Sequence, residues 1–347
     1  MPFDSPQEFY RSRMRSVDRR RLLTPRSTGE ILDLATRLYQ RLALPLLRLT
    51  FPPMLFCFLG LIFFQGFVLP GLWGTSNPDN YAAQVGEVAI AFAVWLLVAL
   101  PVFAVGLGYA TALSGRLVSG YILSQEVDLK EAVQSAKVGA MTTARLLFRI
   151  VMRASAILII AGALLLYSAY LESSGAGSST ALDFASVLAF MAFIVGIIAM
   201  PIMINIDGLA PVVAIVEGVS SKDALRRSRL LIRRQRHIPD GYQALVLTWF
   251  ICLLTWGALY AGINTVLGMA GVIAWAESIG GRSIGMAVLV EGLNALPSFL
   301  ALWLLVPFLS CSLVTIYFDR RIRVEGFDIE TMARDVLEGT EEADLRL

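Results

Sequence analysis

The sequence predicts an all-α, polytopic membrane helical bundle, with about six transmembrane helices plus cytoplasmic amphipathic helices. Two observations predict it. Of the 347 residues, 56% are hydrophobic and only 16% are charged, where soluble domains carry roughly 25% charged residues. The apolar residues also run together. Six stretches, near 49–72, 87–113, 150–171, 184–206, 243–267 and 286–316, are each long enough to supply the ~20 apolar residues that a helix needs to cross a hydrocarbon core.

A third observation sets the expected orientation, because Arg and Lys resist translocation and accumulate on the cytoplasmic side. Ten basic residues precede the first stretch, six lie between Arg116 and Arg153, seven between Lys222 and Arg236, and five follow the last stretch. Only Arg282 falls in an opposite loop. Both termini are therefore expected in the cytoplasm, with an even number of spans. The chain divides into a basic cytoplasmic segment at 1–48, a six-helix transmembrane domain at 49–318 and a cytoplasmic segment at 319–347. No segment reads as a cleavable signal peptide, since the first fifty residues are polar and rich in arginine.

Within the first segment, Ser27 and Glu30 form a capping-box pair at a helix start. The helix would place Ile31, Leu34, Ala35, Leu38 and Leu42 on one face, opposite Glu30, Asp33, Arg37, Gln40 and Arg41. Such a helix, leading directly into a span, is expected to lie flat in the inner headgroup layer. The outer loops, as at Thr75–Asn80 and Ser173–Ser179, are short runs of turn formers. They leave no room for an external domain.

Two inner connections share a pattern 92 residues apart. Val127-Asp128-Leu129-Lys130-Glu131-Ala132 and Val219-Ser220-Ser221-Lys222-Asp223-Ala224 each offer a capping residue, then lysine, acid and alanine. This suggests two related hairpins, and chance similarity between two helix starts accounts for it equally well. In the second span, Ala104, Gly108 and Ala112 recur every four residues, as do Gly106, Ala110 and Ser114. In the fifth, Gly257 pairs with Ala261 and Ala258 with Gly262. Small residues at this spacing let a neighbouring helix approach closely.

Cys57, Cys252 and Cys311 each lie inside an apolar stretch and read as packing residues. His237 is the only histidine and has no cysteine or carboxylate cluster beside it. Neither a metal nor a cofactor is expected. No phosphate-cradling glycine loop, nucleophile elbow or metal-binding helix pair is present.

Ionisable groups near the spans are the candidate functional residues, because a charge inside a bilayer is costly. Asp207 lies with Asn205 at the end of the fourth span, where Gly208 and Pro211 disturb the helix. It could line a cavity for ions or protons, or sit at headgroup level as an ordinary helix-end residue. Glu291 and Asn294, one turn apart near the outer start of the sixth span, could form a polar entrance or reach the outer headgroups. Sequence distance favours the interface for both carboxylates. The segment from Lys222 to Arg236 carries Arg226, Arg227, Arg229, Arg233, Arg234 and Arg236 among leucines. A juxtamembrane basic cluster of this kind attracts anionic lipid and satisfies the topology rule. Nucleic acid is not expected as a partner.

Three segments together resemble a known family. They are Gly29-Glu30-Ile31-Leu32-Asp33 with Leu38-Tyr39; Ala214-Ile215-Val216-Glu217-Gly218 followed by Lys222-Asp223-Ala224-Leu225-Arg226-Arg227-Ser228; and Tyr317-Phe318-Asp319-Arg320-Arg321-Ile322-Arg323-Val324-Glu325-Gly326-Phe327-Asp328. The chain is similar, over nearly its whole length, to the bacterial family named for the membrane domain of glycerophosphoryl diester phosphodiesterases. That name comes from fusions in which a separate barrel carries the hydrolysis, with two histidines and several carboxylates. Here the barrel is absent. The resemblance implies a helical membrane module alone, and its third motif also has a structural reading. Tyr317 suits an interfacial belt, Arg320, Arg321 and Arg323 suit inner headgroups, Gly326 a helix C-terminus, and Asp328 a cap for the next helix.

The sequence thus points to a non-catalytic membrane scaffold or accessory subunit. Its expected contacts are anionic lipids and a membrane-protein partner or a second copy of itself. The alternative is a small-solute or ion transporter with a polar route near Asp207 and Glu291.

Overall fold

A computed structural model describes residues 25–64, 90, 94–123, 129–174, 179–233, 240–272, 274–275, 278 and 284–326. The main helices are α1 (Thr28–Phe63), α2 (Leu100–Leu123), α3 (Leu129–Ser174), α4 (Ser179–Asp207), α5 (Ala210–Glu217), α6 (Ser221–Arg233), α7 (Asp240–Met269) and α8 (Ile284–Glu325). No strand occurs among the described residues. Six helical segments, one on each expected stretch, are long and apolar enough to span a membrane. The protein is an all-α, multi-pass membrane bundle.

The long helix α8 is its centre, packing on α1, α2 and α7, with α5 and α6 also against it. From there α1 packs on α2, α2 on α3 and α3 on α4. The outermost helices keep large apolar side chains exposed, such as Phe184, Phe190 and Ile198 on α4 and Phe250, Leu253 and Met269 on α7. Hydrocarbon is the solvent that tolerates such faces.

The main core lies toward the end of the bundle where α1 begins and α4 and α8 finish, called here the basic end. Ile31, Leu38, Leu46, Leu117, Val118, Leu146, Leu209, Leu231, Val314 and Tyr317 meet there. This corrects the expectation of a separate helix lying flat in the headgroups. The segment from Thr28 is continuous with the first span. Its apolar face, with Ile31, Ala35, Leu38 and Leu42, is buried among protein side chains. The physical reason is that α8 extends to Glu325 and offers that face a partner. Tyr39 donates to the Leu304 carbonyl at 3.1 Å and Trp303 Nε1 to that of Leu47 at 3.1 Å. The first turn of α1 carries the expected cap, with the Glu30 carboxylate accepting from the Ser27 N–H at 2.8 Å and from its hydroxyl at 3.0 Å.

Both small-residue stripes of α2 are used. A Cβ on Gly108 would lie 2.6 Å from the Ala144 nitrogen of α3, and one on Gly106 would lie 2.9 Å from the Pro53 carbonyl of α1 and collide with Cys57 Sγ. The backbones of three helices therefore meet at α2. On α7 the outcome differs. Gly257 and Gly262 have open space around them, so those two glycines close no helix contact among the described residues.

Of the two resembling connections, the second is described throughout. In the second, Ser220 opens α6, its Oγ 3.4 Å from the Asp223 N–H and donating to the Asp223 carboxylate at 2.6 Å. It is preceded by the short helix α5, whose residues Ala210–Ile215 are all buried. Of the first connection the structure describes the part from Leu129, where α3 begins and runs unbroken to Ser174. Asp128, the Thr75–Asn80 loop, Gly175–Ser178, Arg234, Arg236, His237 and Asp328 lie outside the described residues.

Candidate functional site

The chain reverses between α4 and α6 through two features that the sequence supplies locally. Gly208 and Leu209 form the turn after Asp207, and Gly218, at φ 67°, ends α5 with its N–H on the Ala214 carbonyl at 3.1 Å. A left-handed residue at a helix C-terminus favours glycine. Arg116 of α2 donates to the Ile215 carbonyl at 3.2 Å, holding the end of α5. Asp207 and Glu217 are thereby fixed at the basic end, ten residues apart in sequence.

Glu217 anchors the first charged cluster. It accepts from the Tyr317 hydroxyl at 2.8 Å and from Arg227 Nε at 3.2 Å. Arg227 also reaches Glu325 at 2.6 Å, and Arg321 reaches Glu325 at 3.2 Å. The cluster thus ties α5, α6 and the end of α8 together. Beside it, Asp319 accepts from the Arg26 backbone N–H at 2.9 Å and from Arg323 Nε at 3.0 Å. Arg323 in turn donates to the Arg26 carbonyl. This clasps the start of α1 to the end of α8. The three segments that carry the family resemblance are therefore neighbours in space.

The structure corrects the role expected for several of these residues. Tyr317 is fully buried, and Asp319 and Arg320 are each 3% exposed. Tyr317 belongs to the core rather than to an interfacial belt, and Arg321 and Arg323 are engaged within the protein rather than free for headgroups. Buried or partly buried guanidinium groups need paired carboxylates, and Glu217, Asp319 and Glu325 supply them. Gly326 behaves as expected, ending α8 at φ 66° with its N–H on the Ile322 carbonyl at 2.9 Å.

Asp207 forms the second cluster. Its side chain is 3% exposed and lies between two arginines, with Arg229 Nε at 2.7 Å and Arg153 Nη1 at 3.0 Å. Arg229 Nη2 adds a contact at 3.3 Å. The hydrogen bond to Asp207 holds the Arg229 guanidinium above its ordinary pKa. Ser228, the residue before, is buried and donates to the Ile206 carbonyl at 3.1 Å, one of the free carbonyls at the end of α4. Asp207 does stand at a helix end, but it is a buried ion-pair hub and not an exposed interfacial carboxylate. Asn205 is also buried, with its Nδ2 on the Pro201 carbonyl at 2.8 Å and its Oδ1 without a partner among the described residues.

Glu291 and Asn294 are elsewhere. Glu291 is half-buried and Asn294 exposed; along α8, Glu291 is about seven turns from Tyr317, roughly 40 Å at 1.5 Å per residue. Asp207 and Glu291 do not share a site. Two surface cavities occur at the basic end, one lined by Arg26, Glu30, Asp33 and Arg37 and the other by Lys222, Leu225, Arg226, Arg229 and Leu230. Neither includes Asp207 or Glu291. Arg226 is exposed and has no carboxylate partner among the described residues, and Arg233 closes α6.

The partners Arg153 and Arg116 were not singled out in the sequence, although a signal existed. Arg153 lies four residues into an apolar stretch, where a charge calls for a partner. The class defined by this fold is a multi-pass helical membrane protein in which the basic residues of the described part gather at one end. No protein-family model, curated protein or solved structure matches the chain significantly.

Proposed function

We propose that the protein is a non-catalytic scaffold or accessory subunit of a bacterial inner membrane, with both termini cytoplasmic. It would contact anionic lipids there and hold a membrane-protein partner or a second copy of itself. One observation carries the reading. The residues that stand out in the sequence, Glu217, Arg227, Tyr317, Asp319, Arg321, Arg323 and Glu325, are engaged with one another. They work as ties between helices, which is what a rigid platform needs. The same occupancy bears on the transporter alternative, since both oxygens of Asp207 are taken by arginines.

The orientation follows from the basic residues. Single cysteines at Ser76, Ser178 and Ser278, in a background lacking Cys57, Cys252 and Cys311, are expected to react with an impermeant reagent added to intact cells. Ser220→Cys, exposed at the start of α6, is expected to react only after permeabilisation. Labelling of Ser220→Cys in intact cells overturns the orientation.

Co-purification from native membranes tests the function itself. A membrane protein retained in fixed proportion through repeated purification is the expected result. Metal-dependent release of glycerol phosphate by the pure chain, or a solute flux in proteoliposomes abolished by Glu291→Gln, would replace the scaffold reading with an enzyme or a transporter.

A further inference from the structure

The basic residues that remain once the internal ion pairs are assigned form two rows. On α3, Arg145, Arg149 and Arg153 recur every four residues and share one face. Arg145 and Arg149 are exposed and have no carboxylate partner among the described residues. On α6, Lys222, Arg226 and Arg229 share a face at spacings of four and three. Lys222 and Arg226 are likewise exposed and unpaired among the described residues. The last residue of each row, Arg153 and Arg229, grips the same carboxylate, Asp207. Asp207 therefore pins the two cationic rows side by side.

The charges at this place do not balance. One carboxylate faces two guanidinium groups, and four unpaired cations extend the rows on either side. Asp223, the acid on this part of α6, accepts from the Ser220 hydroxyl and keeps its charge, so six cations face two carboxylates. Like charges gathered at one surface repel, and a bound anion relieves that repulsion. The surroundings are partly apolar as well. Leu225 and Leu230 line the α6 cavity together with Lys222, Arg226 and Arg229, and Leu230 is 51% exposed. On α4 the exposed apolar surface runs through Ile198 and Ile202, stopping five residues before Asp207. The cations thus begin where the lipid-facing surface ends.

We propose that the surface around Arg149, Arg153, Lys222, Arg226 and Arg229 binds the phosphate headgroup of an anionic membrane lipid, with Leu225, Leu230 and the end of α4 against the first part of its acyl chains. The inference deepens the membrane-platform reading by assigning a lipid site to residues on two helices. Arginine suits the task because its planar fork can give two parallel hydrogen bonds to phosphate oxygens. Arg153 and Arg229 are held in place by Asp207 with further donors to spare, so little side-chain freedom is lost on binding.

The experiment uses the full chain, stripped of lipid and placed in micelles containing equal amounts of phosphatidylglycerol and phosphatidylcholine, with retained lipid measured by native mass spectrometry. The test variant carries Arg149→Gln, Lys222→Gln and Arg226→Gln, which leave the Asp207 pairs untouched. The unaltered protein is expected to retain the anionic lipid preferentially, and the variant to lose that preference by about tenfold or more. Inorganic phosphate is expected not to displace the lipid. Displacement by inorganic phosphate assigns the site to a soluble phosphate and overturns the lipid assignment. An unaltered preference in the variant, or no preference in the parent protein, overturns the site. The scaffold reading fails separately, through loss of co-purifying protein, which is scored on the same samples and is expected to be unchanged in the variant.

Discussion

Replacing both Arg153 and Arg229 with glutamine is expected to destabilise the fold by about 3–5 kcal/mol, the range found when a buried charge loses its partners. The Asp207 side chain is 3% exposed, so once stripped of both guanidinium groups it can neither rehydrate nor find another cation without opening the turn between α4 and α5. The single replacements are expected to be milder. Arg153 is half exposed and Arg229 one-third exposed, and whichever remains still neutralises the carboxylate, giving about 1 kcal/mol for Arg153→Gln. Adding Asp207→Asn to the double variant should recover part of the loss, because an amide is cheaper to bury than an unpaired carboxylate. Unfolding in detergent, followed by intrinsic fluorescence, measures the four variants beside the parent. A double variant as stable as the parent, or one equal to the sum of the single changes, shows that Asp207 is not a shared hub. Glu291→Gln, at a half-buried position at the far end of α8, serves as a control expected to fall within about 0.5 kcal/mol.

This prediction reverses the one that sequence distance alone supports. Asp207 follows a long apolar stretch, and a carboxylate at that depth reads as reaching the headgroups. The distance was right, and the helix does end at Asp207. What the distance could not convey is that Arg153, 54 residues earlier, and Arg229, 22 residues later, arrive at the same point. The six spans and the two stripes of α2 were legible because each depends on spacing within one helix. The ties from Tyr317 to Glu217 and from Asp319 and Arg323 to Arg26 were not, because those partners are 100 or more residues away, whereas the pairs Asp319–Arg323 and Arg321–Glu325, one helical turn apart, were open to a reading from spacing alone. The first helix illustrates the same limit. Ile31, Leu38 and Leu42 form an apolar face whether it meets lipid or α8, and only the length of α8 decides.

Gly108→Val is expected to cost about 2–4 kcal/mol, among the largest losses available from a single added side chain. A Cβ there would lie 2.6 Å from the Ala144 nitrogen, 2.7 Å from its Cα and 2.9 Å from its Cβ. Two of those atoms are backbone, so no rotamer change relieves the clash, and α2 must separate from α3 along much of their contact. In a bilayer the separated surfaces gain nothing from lipid that compensates for the lost close packing. Gly162 and Gly257 make the contrast, since each has open space where a Cβ would go. Alanine at either is expected to be neutral or to stabilise by about 0.5–1 kcal/mol, through lower backbone entropy in the unfolded chain. Midpoints of unfolding in detergent, compared for Gly108→Val, Gly162→Ala and Gly257→Ala, test the packing directly. A Gly108→Val protein as stable as the other two would mean that α2 and α3 do not meet at Ala144, and a marked loss in Gly257→Ala would mean that α7 uses its small-residue face against a second copy of the chain.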